Sequence, residues 1–238
     1  MAITTVLFDL DGTLLPMDQD VFIKTYFGAL AKRLAPHGSD PEQLVKAVWK
    51  GTGVMMGNDG SKTNEEAFWD FFAGIYGEKS REDIVYFDEF YRTDFSLARQ
   101  VCGFNPLAAE IVRGLKARGV RVALATNPLF PEIATRQRAE WAGVSLDDFE
   151  VYTTYESCRY SKPRLEYYKG VLASMNVTPE ECLMVGNDVE DDMVVEQLGM
   201  KVFLLTDTLI NKSGEDISRF PNGDFNALNE YLDTILRK

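Results

Sequence analysis

One histidine, His37, stands in the 238 residues. A mechanism that needs two imidazoles is excluded, and so is a zinc centre built from several of them. The three cysteines, Cys102, Cys158 and Cys182, form no CxxC pair and are odd in number, so they read as reduced thiols rather than a disulfide framework. Positive charge is scarce: 25 Lys and Arg face 37 Asp and Glu, a formal net charge of −12. That balance opposes a nucleic-acid or anionic-membrane partner. It would also repel an anionic substrate, which then needs a local cation to hold it. No apolar run is long enough to span a bilayer. The chain starts MAITTVLFD, straight into a strand pattern without the charged and apolar blocks of a leader, so a cytoplasmic location is expected. No GxGxxG follows the first strand, which argues against a dinucleotide-binding fold.

What is present begins with that strand. Ile3 to Phe8 is apolar, β-branched and aromatic, as in a parallel strand covered on both faces. It ends in Asp9-Leu10-Asp11-Gly12-Thr13. Two acids two residues apart point the same way from an extended backbone, and Gly12 permits a sharp turn after them. Acids at the carboxyl end of a buried parallel strand lie where open α/β sheets bind ligands. They repel one another unless a cation or shared proton intervenes, and Mg²⁺ suits all-oxygen ligands. An Asp-Gly turn with no chemistry is the ordinary alternative.

Residues 16–100 show helical periodicity and no convincing strand. Asp18 or Asp20 is expected to cap a first helix, and Ser39 or Asp40 a second with Pro41 in its first turn. Asn64 is expected to cap a third, and a fourth follows Ser80. Gly51 to Gly60 reads as an irregular loop that carries Val54, Met55 and Met56 either to a substrate or into the insert's own interior. From Pro106 strands and helices alternate, with strands at 120–125, 150–154, 182–185 and 201–205. Helices are expected between them at 107–118, 131–142, 163–175 and 190–198, and a last one at 225–236. The pattern predicts an α/β fold: a doubly wound parallel sheet at 1–15 and 101–238, with a small helical domain inserted at 16–100.

The later strands also end in polar residues. Thr126-Asn127 follows the second, Lys162-Pro163 precedes a helix, and Gly186-Asn187-Asp188 leads on to Asp191 and Asp192. Singly, each has a plain structural reading as a helix cap or a solvated side chain. In order, DxDGT, Thr-Asn, Lys-Pro and Gly-Asn-Asp resemble the haloacid dehalogenase-like hydrolase superfamily over 1–15 and 101–210. The resemblance implies a Mg²⁺-dependent phosphatase for a small phosphorylated metabolite. Asp9 would be the nucleophile and form an aspartyl-phosphate, and Asp11 the general acid and base. Thr126 and Lys162 would hold the phosphate, with backbone N–H groups of Gly12 and Asn127. The metal would take the Asp9 carboxylate, the Asp11 carbonyl and Asp188, with Asp192 orienting Lys162 or binding through water. Asp191 is a rival for that last role. The sequence has Gly-Asn-Asp where many members have Gly-Asp, so position 187 or 188 could align; Asp188 is the stronger ligand. A second acid at Asp11 implies phosphate esters rather than dehalogenation, and the insert resembles the family's cap. A phosphomutase of the same family shares these motifs. A receiver-like phospho-accepting module has similar acids but lacks a helical insert.

Overall fold

A computed structural model describes residues 2–37 and 40–236. Six strands form one parallel sheet in the order β3-β2-β1-β4-β5-β6. They are β1 (Thr5–Phe8), β2 (Arg121–Leu124), β3 (Val151–Tyr152), β4 (Cys182–Gly186), β5 (Lys201–Leu205) and β6 (Asn222–Gly223). The expected α/β class and parallel sheet are therefore observed. Two-residue β6 has no signal in the sequence.

Every residue of β1 is buried. Alternation sends Val6 and Phe8 into one apolar cluster and Leu7 into another, so both faces are covered. Helices α5 (Pro106–Ala117), α6 (Glu132–Trp141), α7 (Leu165–Met175) and α8 (Phe225–Ile235) belong to this half. Register sets the level of the strand tips. Phe8 pairs with Leu124 on one side and Val185 on the other. The Asp9 N–H donates to the Val185 carbonyl at 2.9 Å, and the Ala125 N–H to the Phe8 carbonyl at 2.7 Å. Residues following β1, β2 and β4 thus emerge side by side. The chain reverses its direction across the sheet between β1 and β4, where open α/β sheets form a crevice.

Between β1 and α5 lie α1 (Gln19–Leu34), α2 (Pro41–Met56), α3 (Asn64–Tyr76) and α4 (Ile84–Arg92), with 3-10 turns at 78–83 and 94–101. Asp18 caps α1 through the Val21 N–H at 3.0 Å. Asp40 caps α2 through Gln43; Ser39, the other candidate, is outside the described residues. Two expectations fail here. Thr63, not Asn64, caps α3, in a reciprocal box with Glu66. Residues 51–56 are not a loop but the last turns of α2, and Met55 is buried. The glycine at 51 serves packing: a Cβ there would lie 2.6 Å from the Phe68 ring. The insert also packs on the sheet half. Its apolar interior joins that of the sheet, with Phe95 stacked on Trp141 of α6 at 5.4 Å and Phe22 edge-on to Phe130 at 6.3 Å.

Two further boundaries differ. Pro163 precedes α7 rather than opening it, and Arg164 stands at the cap position. The expected helix at 190–198 is a 3-10 turn, Met193–Leu198. Among the described residues, no helix is long and apolar enough to cross a membrane.

Candidate active site

The strand tips surround a cavity of about 140 Å³ whose walls include Asp9, Asp11, Thr126, Asn127, Lys162, Asp188, Asp191 and Asp192. Asp9 sits at the floor, 7% exposed. Its Oδ1 accepts from Lys162 Nζ at 2.8 Å, and its Oδ2 from Thr13 Oγ1 at 3.1 Å. Both oxygens of the carboxylate are therefore fixed in direction. Lys162 is almost fully buried and also donates to Asp192 Oδ1 at 2.6 Å. Burial opposes its charge, but the Asp192 and Asp9 carboxylates hold its pKa well above the ordinary lysine value.

The acidic loop after β4 has two kinds of residue. Asn187 is structural: it accepts from Thr13 Oγ1 at 3.1 Å and donates to the Thr208 carbonyl at 2.7 Å. Its carboxamide fills the space beside Gly12, where a Cβ would lie 2.3 Å from Nδ2 and where φ is +83°. Gly12 donates its N–H to the Leu15 carbonyl at 2.8 Å. That overturns the expectation of a free Gly12 N–H for phosphate; the glycine makes the turn. Asp188 faces the cavity while its Oδ1 caps the turn, accepting from the N–H groups of Glu190 and Asp191 at 2.9 Å. Burial is the main cause that pushes its carboxyl up to about 6. Asp192 meets Lys162, whereas Asp191 lies 3.5 Å from Asn127 Nδ2. Asn127 Oδ1 in turn accepts from the Lys162 N–H at 3.3 Å. All the sequence-derived catalytic, phosphate and metal candidates except Gly12 line this one cavity; Val54, Met55 and Met56 do not.

Because Asn187 joins two segments by buried hydrogen bonds, Asn187→Ala is expected to cost about 1–3 kcal/mol of stability. Urea denaturation measures it; a loss below that range would mean the Thr13 and Thr208 groups find other partners.

The sequence reading missed Arg138. Fully buried on α6, it donates to Asp11 Oδ2, to Thr135 Oγ1 at 3.2 Å and to the Ala134 carbonyl at 3.3 Å. Its guanidinium lies 4.3 Å from the centre of the Phe130 ring. Burial raises the Asp11 pKa, Arg138 pulls it down, and the Asp9 charge raises it again; the net shift is upward. Asp11 Oδ1 is buried without a partner.

Metal chemistry fits this donor set in a limited way. Among the described residues no three metal-ligating side chains converge on one point. An all-protein cage is therefore absent. The cavity nevertheless holds five carboxylates against one ammonium, and the unpartnered Asp11 oxygen is of the hard type. Such a set suits Mg²⁺, which keeps most of its waters and takes one or two carboxylates plus substrate oxygens.

Carboxylates, an ammonium and hydroxyls brought together at the switch point of a parallel sheet define the site of an α/β enzyme. The chain belongs to the haloacid dehalogenase-like hydrolases, whose family model matches residues 3–199. Pyrophosphatase PpaX of Bacillus cereus (strain G9842) is 27% identical over 215 residues, which cover 88% of this chain and 86% of that one. In architecture the chain is similar to 2-haloacid dehalogenase from Pseudomonas syringae pv. Tomato DC3000, with a TM-score of 0.63, 21% identity, and 98% and 99% of the two chains covered. It is also similar to a HAD phosphatase from Thermococcus onnurineus, with a TM-score of 0.57, 18% identity, and 97% and 98% covered.

Proposed function

We propose that the protein is a phosphatase that hydrolyses a small phosphate monoester through a phosphorylated Asp9. The observation that carries this reading is the Asp9 carboxylate, fixed between the Lys162 ammonium and the Thr13 hydroxyl at the floor of the cavity. In the first step an Asp9 oxygen attacks phosphorus, and the bond to the leaving oxygen breaks. Asp11 gives that oxygen a proton, and burial, which raises its pKa, favours that role. Lys162 offsets charge on the phosphoryl oxygens, and Thr126 holds one of them. In the second step Asp11 takes a proton from water, which attacks phosphorus and frees Asp9. Residues 16–100 act as a cap that keeps bulk water out during the first step. Asp9, Asp188 and the Asp11 carbonyl would hold Mg²⁺, which supplies positive charge against the phosphate.

The test is a panel of phosphorylated metabolites assayed for inorganic phosphate, without any bisphosphate activator. Release of phosphate supports hydrolysis; conversion of one sugar phosphate to its isomer without net release would make the protein a mutase.

Activity is expected to vanish with EDTA and return with Mg²⁺. The Mg²⁺ concentration for half activity should rise as pH falls through about 6, where Asp188 takes up a proton. The sign follows from the shift: a proton and a cation compete for the same carboxylate, by roughly tenfold per pH unit for one proton. A requirement that is flat from pH 7.5 to 5 removes Asp188 from the metal. Asp188→Ala should raise the requirement steeply and Asn187→Ala should not; the reverse result moves the fourth motif by one residue.

A further inference from the structure

Beyond the catalytic cavity lies a second one, of about 100 Å³, between the helical insert and the sheet half. The two share Ile23, Leu129 and Phe130 as a common wall. Among the described residues that line the second cavity none carries a charge, and its surroundings are aromatic and aliphatic from all four insert helices. One polar group there is left over. The indole N–H of Trp69, a residue 4% exposed, has only the neighbouring Tyr155 hydroxyl within reach and is poorly aligned to it. A buried donor without a partner is costly, and a ligand acceptor would satisfy it.

We infer that this cavity receives the leaving group, and that the substrate is the phosphate monoester of a neutral alcohol bearing one compact apolar ring with an acceptor oxygen at its far end. The inference rests on the phosphatase reading of the first cavity. Three observations carry it. The cavity adjoins the catalytic one across Ile23, Leu129 and Phe130. Its size, below the roughly 150 Å³ of an apolar cavity that holds benzene, limits an occupant to one small ring and excludes a nucleoside. Its walls offer no cation to a charged leaving group. A second phosphate, as in the substrate named for the PpaX relative, would have to be desolvated there without a counter-charge. The substrate preference of this chain therefore departs from that relative.

The test compares 2-phenylethyl phosphate, 2-(4-hydroxyphenyl)ethyl phosphate, glycerol phosphate and pyrophosphate as substrates of the full chain with Mg²⁺. The aryl esters should exceed the other two in kcat/KM by about tenfold or more, the scale on which an apolar pocket discriminates. Val48 lines the cavity and plays no part in the chemistry. Val48→Phe should fill the space and remove that preference while methyl phosphate is still hydrolysed. Trp69→Phe should erase any advantage of the phenol over the plain phenyl ester. Binding of 3-phenylpropylphosphonate against methylphosphonate, followed by tryptophan fluorescence, reads the cavity without turnover and does not depend on either variant folding. Equal binding of the two phosphonates, or a preference for pyrophosphate or glycerol phosphate, overturns the inference. Tight and selective phosphonate binding with no phosphate released from any ester would sustain the cavity and overturn the phosphatase reading instead.

Discussion

Asp9→Asn should reduce phosphate release by about 10⁴-fold or more, the scale seen when the nucleophile of a catalytic unit is removed. The carboxamide keeps the size; its one oxygen can accept from Lys162 while its NH2 donates to the Thr13 hydroxyl oxygen, so the floor of the cavity should keep its shape. What it loses is the negative oxygen that attacks phosphorus. The expected result is a folded, inactive protein whose melting temperature is close to that of the parent. It should also fail to take up ³²P from a labelled ester in a rapid acid quench, where the parent does. Near-normal turnover, in a sample checked for deamidation back to Asp, would remove Asp9 from the chemistry and with it the proposed mechanism.

Arg138→Met should be the most destabilising single change near the site. The side chain is fully buried and tied to Asp11, Thr135 and the Ala134 carbonyl. Met keeps much of the volume but leaves the partly buried Asp11 carboxylate without its charged donor, which costs about 1–3 kcal/mol. Urea denaturation at pH 7 reads the loss. The pH profile supplies a second readout that loss of packing alone would not move. Arg138 pulls the Asp11 pKa down. Without it that pKa rises, and the alkaline limb set by loss of the Asp11 proton shifts to higher pH. In stability terms, the unfolded carboxyl is common to both proteins, so the variant loses most, relative to the parent, above its own further-raised native-state Asp11 pKa. The difference should narrow as the pH drops and Asp11 becomes neutral in both states. An unshifted limb with full stability would mean that the guanidinium has no hold on Asp11.

The contrast between Asp9 and Arg138 shows what the sequence makes legible. Asp9, Thr126 and Asp188 follow strands whose apolar runs stop abruptly, and a parallel sheet puts such stops at one edge. Their convergence needed only the strand order. Lys162 required more, because nothing local says that a lysine before Pro163 turns inward. Its partners Asp9 and Asp192 come from 153 and 30 residues away in sequence. Arg138 left a local trace that the reading passed over. Ala134, Arg138 and Trp141 are four and three residues apart and all buried, so a charged residue stands within the inward stripe of α6. The 51–60 stretch misled in the other direction. Its glycines suggested a break, yet the helix continues to Met56 because a bare Cα lets the Phe68 ring approach. Glycine as a packing space and glycine as a turn look the same until the neighbour is known.

The aromatic seam between insert and sheet bears on how this protein can be recombined. Phe22 and Tyr26 meet Phe130, and Phe95 lies on Trp141, so the aromatic seam draws rings from both parts of the chain. Residues 16–100 are consequently not a portable cassette. Grafted onto another scaffold of the same class, they would present an unmatched sticky face and lose the geometry of the second cavity. A chimera that keeps both must carry α6 and the turn before it along with the insert.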